Sequence, residues 1–402
     1  MPNVGFLQLP QWHEALRSQL RKLGQEELLR APVLNAEDTN GGWKSLEPDE
    51  FFRVVQTGFH FEGSRLMEKI TDVVITSDPF FGLKRILEKS ICTTGIRGTL
   101  GGLHPLLDLF SRESFQTRPR RMLCIADGVS NFILNEMEHH HLSLEAAVQE
   151  AQWQNIAPGN PTRHLHGLVA CERLAILGSV LFGVQLSPDQ MLVEGISKLE
   201  LKDIQLAHSL DFSLRLLGMI EKNEQGVEAW VRPCLIPTRY LLSQVRGGME
   251  SAYLLRDEHE PIVFSGPGGG KETALQGMLR DWAVFSRQGN FDYLELERVP
   301  LLPPEQVQSG FYVRIALLNA AATLAQITQV FAEFGVEIQK LMQTGHQMEA
   351  AEPEGMVNEI VFFTRPIHEG TMNAALLKIR EEVKLAGVKC CYRFENPVTR
   401  KA

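Results

Sequence analysis

The spacing of hydrophobic and polar positions predicts strands and helices that alternate along the whole chain. Residues 70–76 (ITDVVIT) form an apolar run of strand length, and residues 226–231 alternate like a strand with one covered and one open face. Residues 131–139 and 144–153 have apolar side chains at the spacing of amphipathic helices, and Ser143 suits the start of the second helix. The pattern predicts an α/β (α+β) fold built from more than one domain.

A proline-rich segment separates the last predicted domain from the rest of the chain. Residues 299–309 (VPLLPPEQVQS) predict a linker. Residues 310–398 then follow the order strand, helix, strand, strand, helix, strand, with helices near 323–334 and 371–382. This order predicts a separate βαββαβ domain at the end of the chain.

Composition and charge exclude several classes of protein. The chain has 402 residues, of which 44% are hydrophobic and 22% charged, enough for two or three domains with buried cores. The net charge of −9 argues against a nucleic-acid-binding surface. No apolar run approaches the roughly 18 residues of a membrane span, and the first residues lack the pattern of a signal peptide. We therefore expect a cytoplasmic protein with reduced cysteines that binds neither nucleic acid nor membrane.

The first predicted strand and helix lack the glycines that a dinucleotide site needs. Residues 3–9 predict a strand and residues 11–23 a helix, which is how a Rossmann unit begins. The turn between them, residues 8–13 (QLPQWH), has none of the glycines of G-x-G-x-x-G. Pro10 removes one backbone donor, and Trp12 stands where the phosphates would lie. We expect a βα unit that packs without binding a dinucleotide.

The central part of the chain is similar to a known family. Residues 128–177 cross two predicted helices and a Pro/Gly-rich loop and then enter a third helix. Residues 193–196 (VEGI) and 227–237 (VEAWVRPCLIP) follow. Together these segments resemble the substrate-binding and dimerisation domain of homoserine dehydrogenase.

The resemblance implies three domains and an assembly of subunits. Residues 1–126, completed by a helix near 271–287, correspond to an eroded Rossmann-like nucleotide domain, and residues 127–270 to the substrate and dimerisation domain with a mixed sheet. Residues 310–398 resemble an ACT domain, the amino-acid-sensing module found at the end of many homoserine dehydrogenases. Because family members dimerise through the central domain, and ACT sheets pair side by side, we expect a homodimer or a higher oligomer.

The positions at which the family performs its chemistry differ in this chain. A hydride moves at the substrate carbon while a proton moves at oxygen, so acidic groups and a lysine must lie within hydrogen-bond reach. The family's acidic residues fall at Pro158, His164 and Val169, and its lysine falls at Arg173. Residues 90–98 (SICTTGIRG) supply no lysine for the nucleotide domain. These losses imply a chain without hydride transfer or cofactor, and NAD(P) is expected only if the chain is an active dehydrogenase.

Four side chains are candidates for a replacement site in the old substrate cleft: His164, His166, Arg173 and Asp203. Histidine can act as acid or base near neutral pH, whereas arginine keeps its charge without a useful pKa. The alternative is that His164 and His166 are surface-loop histidines. Three adjacent histidines at residues 139–141 end a predicted helix and point in different directions, so we expect a solvated helix terminus and no metal site.

Two loops keep part of a binding pattern. Residues 265–280 (SGPGGGKETALQGMLR) have the wrong spacing for a Walker A loop but resemble the family's G-P-G-A-G turn near the nicotinamide. Gly266, Gly268 and Gly270 are therefore candidates for a relic cofactor loop, with a simple hinge as the alternative. Asn319 lies where ACT domains carry D-x-P-G and is the candidate contact for an amino-acid effector.

Three functions follow from these observations. The first is a dimeric pseudoenzyme, a scaffold or amino-acid-responsive regulatory protein that binds a protein partner or an amino-acid ligand without a cofactor. The second is an active homoserine dehydrogenase that uses NAD(P)H and aspartate semialdehyde. The third is new chemistry in the old cleft. A cluster of His164, Arg173 and Asp203 around one pocket favours the third function, and a cleft filled by Pro10 and Trp12 favours the first.

Overall fold

The computed structural model describes residues 4–7, 73–76, 79, 82–83, 94–110, 118–256, 259–268, 271–288, 296–317, 320–344 and 358–395. They form a mixed α/β fold, as the sequence predicted. The turn at residues 8–13, with Pro10 and Trp12, lies outside the described residues, and so do Gly270 and Asn319.

The described residues form the following helices and strands. The helices are α1 (Pro105–Phe110), α2 (Gly128–His140), α3 (Leu144–Trp153), α4 (Thr162–Leu165), α5 (Leu168–Phe182), α6 (Leu201–Ser209), α7 (Lys271–Gln288), α8 (Ala320–Glu333) and α9 (Glu369–Glu382). The strands are β1 (Val4–Leu7), β2 (Val73–Thr76), β3 (Thr94–Gly95), β4 (Arg121–Ile125), β5 (Leu192–Val193), β6 (Phe212–Asn223), β7 (Gly226–Pro237), β8 (Met249–Arg256), β9 (His259–Pro267), β10 (Gln308–Leu317), β11 (Ile338–Thr344), β12 (Asn358–Thr364), β13 (Ile367–His368) and β14 (Ala386–Phe394).

Two compact units divide the chain. The first unit contains Met1–Lys198, Leu216–Arg232 and Val245–Pro300, and the second contains Leu199–Arg215, Pro233–Gln244 and Leu301–Ala402. Strands β6 and β7 contribute residues to both units. The division into three domains at residues 1–126, 127–270 and 310–398 stays a prediction.

The strands of the first unit form a small parallel sheet and a mixed sheet. Strands β1, β2 and β3 pair in parallel in that order. Strand β4 pairs antiparallel with β6 on one side and with β8 on the other, and β8 pairs antiparallel with β9. Strand β5 adds a parallel pairing to β7. The predicted mixed sheet is therefore present in this unit.

Helices α2, α3 and α5 begin where the sequence provides a suitable residue. Asp127 caps α2 through the backbone N–H groups of residues 129 and 130, and Ser143 caps α3 through the N–H of residue 146. Helix α5 runs between Gly167 and Gly183, which have φ of +76° and +68°, values that glycine adopts without strain. A Cβ at Gly178 would lie 2.3 Å from Ile220 Cδ1, so this glycine lets α5 approach strand β6 closely. The helix that carries Arg173 is thereby fixed against the sheet.

The expectation of an open sheet face at residues 226–231 is wrong for these residues. Strand β7 is buried at every position from Gly226 to Pro237. The polar side chains that alternate along it, which suggested an exposed face, are themselves buried and interact with one another. Glu228 Oε1 accepts a hydrogen bond of 2.9 Å from Trp230 Nε1, and the Arg232 guanidinium lies 5.1 Å from the centre of the Trp230 ring. The charged residues of strand β7 are therefore buried, although charged residues in a strand usually indicate an exposed face.

The second unit contains the predicted βαββαβ order, with β13 as an additional short strand. Its sheet has the order β11-β12-β10-β14, and all these pairings are antiparallel. Alternate residues of β10 point into an apolar core with α8 and α9: Phe311, Val313, Ile315 and Leu317. The residues between them include the buried Tyr312 and Arg314. Among the described residues, no helix is long and apolar enough to cross a membrane.

Candidate functional site

Five polar side chains meet in the first unit where strand β4 ends and helix α2 begins. We call them the polar cluster: Asp127, Ser130, His164, Arg173 and Glu250. They come from the start of α2, from α4, from α5 and from the start of β8. Asp127, Ser130 and Glu250 are buried, and His164 and Arg173 are largely covered.

Arg173 and Glu250 form the buried ion pair of this cluster. Arg173 Nη1 lies 2.5 Å from Glu250 Oε1, and the two side chains are 14% and 0% exposed. Arg173 Nη1 also donates to the carbonyl of Ala126 at 3.0 Å. Glu250 accepts the backbone N–H of Gly102 at 2.9 Å and that of Gly128 at 3.1 Å. Burial raises the pKa of Glu250 to about 7, although the Arg173 charge opposes this rise.

Asp127 and His164 form the second charged contact. His164 Nδ1 lies 3.0 Å from Asp127 Oδ1 and 3.1 Å from Oδ2. The same carboxylate accepts the hydroxyl of Ser130 at 2.5 Å and caps helix α2. Burial by itself raises the pKa of Asp127, but His164, Arg173 and Ser130 together outweigh burial and hold this pKa well below its usual range. Asp127 is therefore an ionised, fixed partner for the His164 ring.

The glycines beside Glu250 pack against the chain itself. A Cβ at Gly268 would lie 2.0 Å from Glu250 Cγ, and a Cβ at Gly102 would lie 2.6 Å from the carbonyl carbon of Gly266. A Cβ at Gly101, which has φ of +52°, would lie 2.6 Å from Glu250 Oε2. At each of these glycines, other protein atoms occupy the space that a side chain would need. The described part of this loop is therefore closely packed against the chain itself.

The structure brings together two of the four candidate residues of the old cleft. His164 and Arg173 both belong to the polar cluster. His166 directly follows helix α4 and is exposed. Asp203 belongs to the second unit, where it accepts hydrogen bonds from Arg314 Nε at 2.8 Å and from the Tyr392 hydroxyl at 2.9 Å. His164 and Arg173 thus share a cluster in which Asp127 and Glu250 supply the carboxylates, and α6 directs Asp203 to Arg314 in the second unit.

Sequence reasoning missed Asp127 and Glu250. A signal for Asp127 exists, because an aspartate directly before a helical pattern is a typical N-cap. No comparable signal exists for Glu250, whose contacts are 77, 122 and 148 residues away along the chain. A single glutamate at the start of a strand is more often exposed than buried.

The histidines at residues 139–141 end helix α2, as expected. His140 and His141 are exposed, and His140 Nδ1 lies 2.7 Å from Glu136 Oε2. No group of three or more His, Cys, Asp or Glu side chains that could hold a metal ion occurs among the described residues.

Comparison with known proteins gives the class of this fold and then its family. The crystal structure of a homoserine dehydrogenase from Thiobacillus denitrificans superimposes with a TM-score of 0.82 over 98% of both chains at 24% identity, so the two share a fold. The homoserine dehydrogenase family model matches residues 105–282. A homoserine dehydrogenase from Pseudomonas aeruginosa is 30% identical over 320 residues, which cover 77% of this chain and 72% of that protein. The corresponding protein of Helicobacter pylori is 27% identical over 277 residues, covering 68% and 64%.

The chain therefore belongs to the homoserine dehydrogenase family, as its sequence indicated. Members of this family normally use NAD(P). The polar cluster lies within the residues that the family model matches.

Proposed function

We propose that this member of the family has lost NAD(P)-dependent hydride transfer and acts as a scaffold or as an amino-acid-responsive regulatory protein. The observation that carries the proposal is the buried ion pair of Arg173 with Glu250. Arg173 stands where the family has its catalytic lysine, and this pair holds its guanidinium in a fixed contact. An arginine also keeps its proton at any pH of interest and cannot exchange it with a substrate oxygen.

The acidic positions of the substrate loop support the same proposal. Pro158 and Val169 occupy two of them, and neither side chain can donate, accept or titrate. Hydride transfer to a carbonyl needs a proton donor within hydrogen-bond reach of the oxygen.

We expect no oxidation of homoserine and no reduction of aspartate semialdehyde above the uncatalysed background with either NAD(P) couple. In a thermal-shift titration, NADPH should not raise the melting temperature. A ligand that binds the native state must raise its stability, so an unchanged melting temperature indicates that NADPH does not bind. A gain with homoserine, threonine or another amino acid is the expected sign of a regulatory ligand. Turnover of roughly 1 s⁻¹ or faster, the range of ordinary enzymes, would refute the proposal. Arg173→Lys is the informative variant and should remain inactive, because Pro158 and Val169 are unchanged.

We also propose that the protein is a homodimer or a higher oligomer. The support is its family, whose members dimerise through the central domain, and the βαββαβ sheet of the second unit, an order that resembles the ACT domains that pair side by side. Gel filtration with light scattering should give at least twice the chain mass of 45.2 kDa. A mass of one chain at micromolar concentration would contradict the assembly.

Two other functions have a specific observation in their favour. The 30% identity to the Pseudomonas aeruginosa protein favours an active dehydrogenase that uses NAD(P)H, and the activity assay decides that case. The contact of Asp127 with His164 favours new acid–base chemistry in the old cleft, because such a pair orients an imidazole for proton transfer.

A further inference from the structure

We propose that residues 297–300 form a strap that holds the end of helix α5 and couples it to the second unit. The last segment of the first unit ends at Pro300, and the next residue, Leu301, belongs to the second unit. The strap overlaps the start of the predicted linker at residues 299–309. The coupling supplies a route for the proposed regulation, yet its test needs neither a ligand nor an activity, so it can fail independently of that proposal.

The first argument is a set of backbone hydrogen bonds that attach both ends of the strap to the first unit. The N–H of Glu297 donates to the carbonyl of Gly183, and the carbonyl of Glu297 accepts the N–H of Gln185, both at 2.8 Å. These two bonds form a parallel β-bridge. At the other end of the strap, the carbonyl of Pro300 accepts the N–H of Val227 at 3.0 Å. The strap is therefore fixed by the kind of contact that joins two strands.

Side-chain contacts of the strap contribute less than these backbone bonds. Lys222 Nζ lies 2.9 Å from Glu297 Oε2, but the two side chains are 36% and 69% exposed. Arg298 Nε donates to Gln185 Oε1 at 3.1 Å, also on the surface. An exposed ion pair adds little to stability because water and salt screen it. The charge of Glu297 can therefore be removed as a control that leaves the backbone bonds in place.

The second argument is the segment that the strap holds. Helix α5 ends at Phe182, and Gly183 follows it with φ of +68°. Val184 and Leu186 are buried, so residues 183–186 continue as an extended segment whose backbone groups need partners outside the helix. Glu297 meets two of these groups, the carbonyl of residue 183 and the N–H of residue 185. Release of the strap would leave both groups without this partner, so the end of α5 should open more often.

The third argument is the short connection between the strap and the second unit. Within that unit the carbonyl of Val307 accepts the N–H of Glu369 at 2.9 Å, and the carbonyl of Gln306 lies 3.0 Å from His368 Nδ1. Residues 301–305 alone separate these anchors from the strap. While the second unit is folded, the far end of the strap has little freedom, and closing the strap bonds costs little entropy. Opening of the second unit frees that end, so the strap should then detach more often.

Hydrogen exchange of the full chain, read on peptides that contain Gln185, tests whether the strap holds this segment. Glu297→Pro removes the N–H that bonds to Gly183. The Gln185 amide should then exchange at least about tenfold faster, the effect of losing roughly one hydrogen bond. Glu297→Gln is the matched control, because it loses the ion pair with Lys222 but keeps both backbone bonds. It should exchange within about threefold of the wild type, as expected for an exposed ion pair.

Arg314→Met tests the coupling, because it removes the buried partner of Asp203 and so destabilises the second unit. In the otherwise unchanged chain it should speed exchange of the Gln185 amide at least about fivefold, through more frequent opening of the second unit. Insertion of Gly-Ser-Gly-Gly after Pro300 keeps the strap bonds but lengthens the connection, so the effect of Arg314→Met should fall below about twofold.

Three results would overturn the proposal. The first is equal exchange of the Gln185 amide in Glu297→Pro and Glu297→Gln. The second is no effect of Arg314→Met on this amide in the chain without the insertion. The third is an effect of Arg314→Met that the insertion leaves undiminished. If Glu297→Pro does not fold, the comparison with and without the insertion decides alone.

Discussion

Glu250→Ala should destabilise the first unit by about 3–5 kcal/mol at pH 8, the usual cost of removing one partner of a buried ion pair. The change leaves the Arg173 guanidinium largely buried without its counter-ion. It also removes the acceptor for the backbone N–H groups of Gly102 and Gly128. Chemical denaturation followed by a probe in this unit measures the loss. A change below about 1 kcal/mol would show that the pair does not hold these segments together.

Two further variants separate the charge from the backbone contacts. Arg173→Met combined with Glu250→Leu removes both charges, and replacement of a buried pair by apolar side chains is often neutral or stabilising. The double variant should therefore be more stable than Glu250→Ala. It should not reach the wild type, because the N–H groups of Gly102 and Gly128 stay buried without an acceptor, at about 1–3 kcal/mol each.

The pH dependence of stability in Glu250→Gln tests the pKa of Glu250, because the amide of glutamine cannot titrate. The pKa of Glu250 rises from 4.5 in the unfolded chain to about 7 in the folded unit. Between these values the folded state binds more protons than the unfolded state, so stability from this group is complete below pH 4.5 and is lost as the pH rises through 7. Relative to Glu250→Gln, the wild type should lose about 3 kcal/mol between pH 4.5 and pH 8. Asp281, whose pKa burial raises to about 6, titrates in both proteins and cancels.

The local part of the fold could be predicted from the sequence, and the polar cluster could not. Residues 144–153 carry their own helical spacing and the cap of Ser143, so their helix was predicted with its observed bounds. His164 and Arg173 could be singled out because a family pattern assigns positions to them. Glu250 has no local signal, since its role depends on partners far away in the chain. The spacing of apolar residues does not reveal which charged side chains are buried by contacts between distant segments.

Asp203 illustrates a long-range contact that the sequence does not predict. It was a candidate for the old cleft, and helix α6 places its carboxylate against strands β10 and β14 of the second unit. The spacing of apolar residues fixes which face of a helix is buried, but not which partner that face meets. A buried ion pair needs two elements at once, and the sequence around Asp203 describes only one of them.

Arg314→Met should destabilise the second unit by about 3–5 kcal/mol, because it leaves the buried carboxylate of Asp203 without a positively charged partner. Arg314 lies 2.5 Å from Asp203 through Nη2 and 3.2 Å from Glu359 through Nη1, and all three side chains are at most 5% exposed. Lys202 gives Glu359 a second cation at 3.0 Å, but Asp203 would keep only the neutral donors of Tyr392 and Cys390. The loss should therefore come mainly from Asp203.

Arg314→Lys distinguishes the geometry of this contact from its charge. A lysine keeps the positive charge but has no planar fork that can reach Asp203 with two N–H groups, so it should recover only part of the lost stability. Arg365→Met is the matched control, because Arg365 pairs with Glu337 on the surface with both side chains about 70% exposed. Denaturant unfolding with hydrogen exchange of β10 and β14 compares the three variants. If Arg314→Met unfolds no more readily than Arg365→Met, the buried pair does not fix α6 on this sheet.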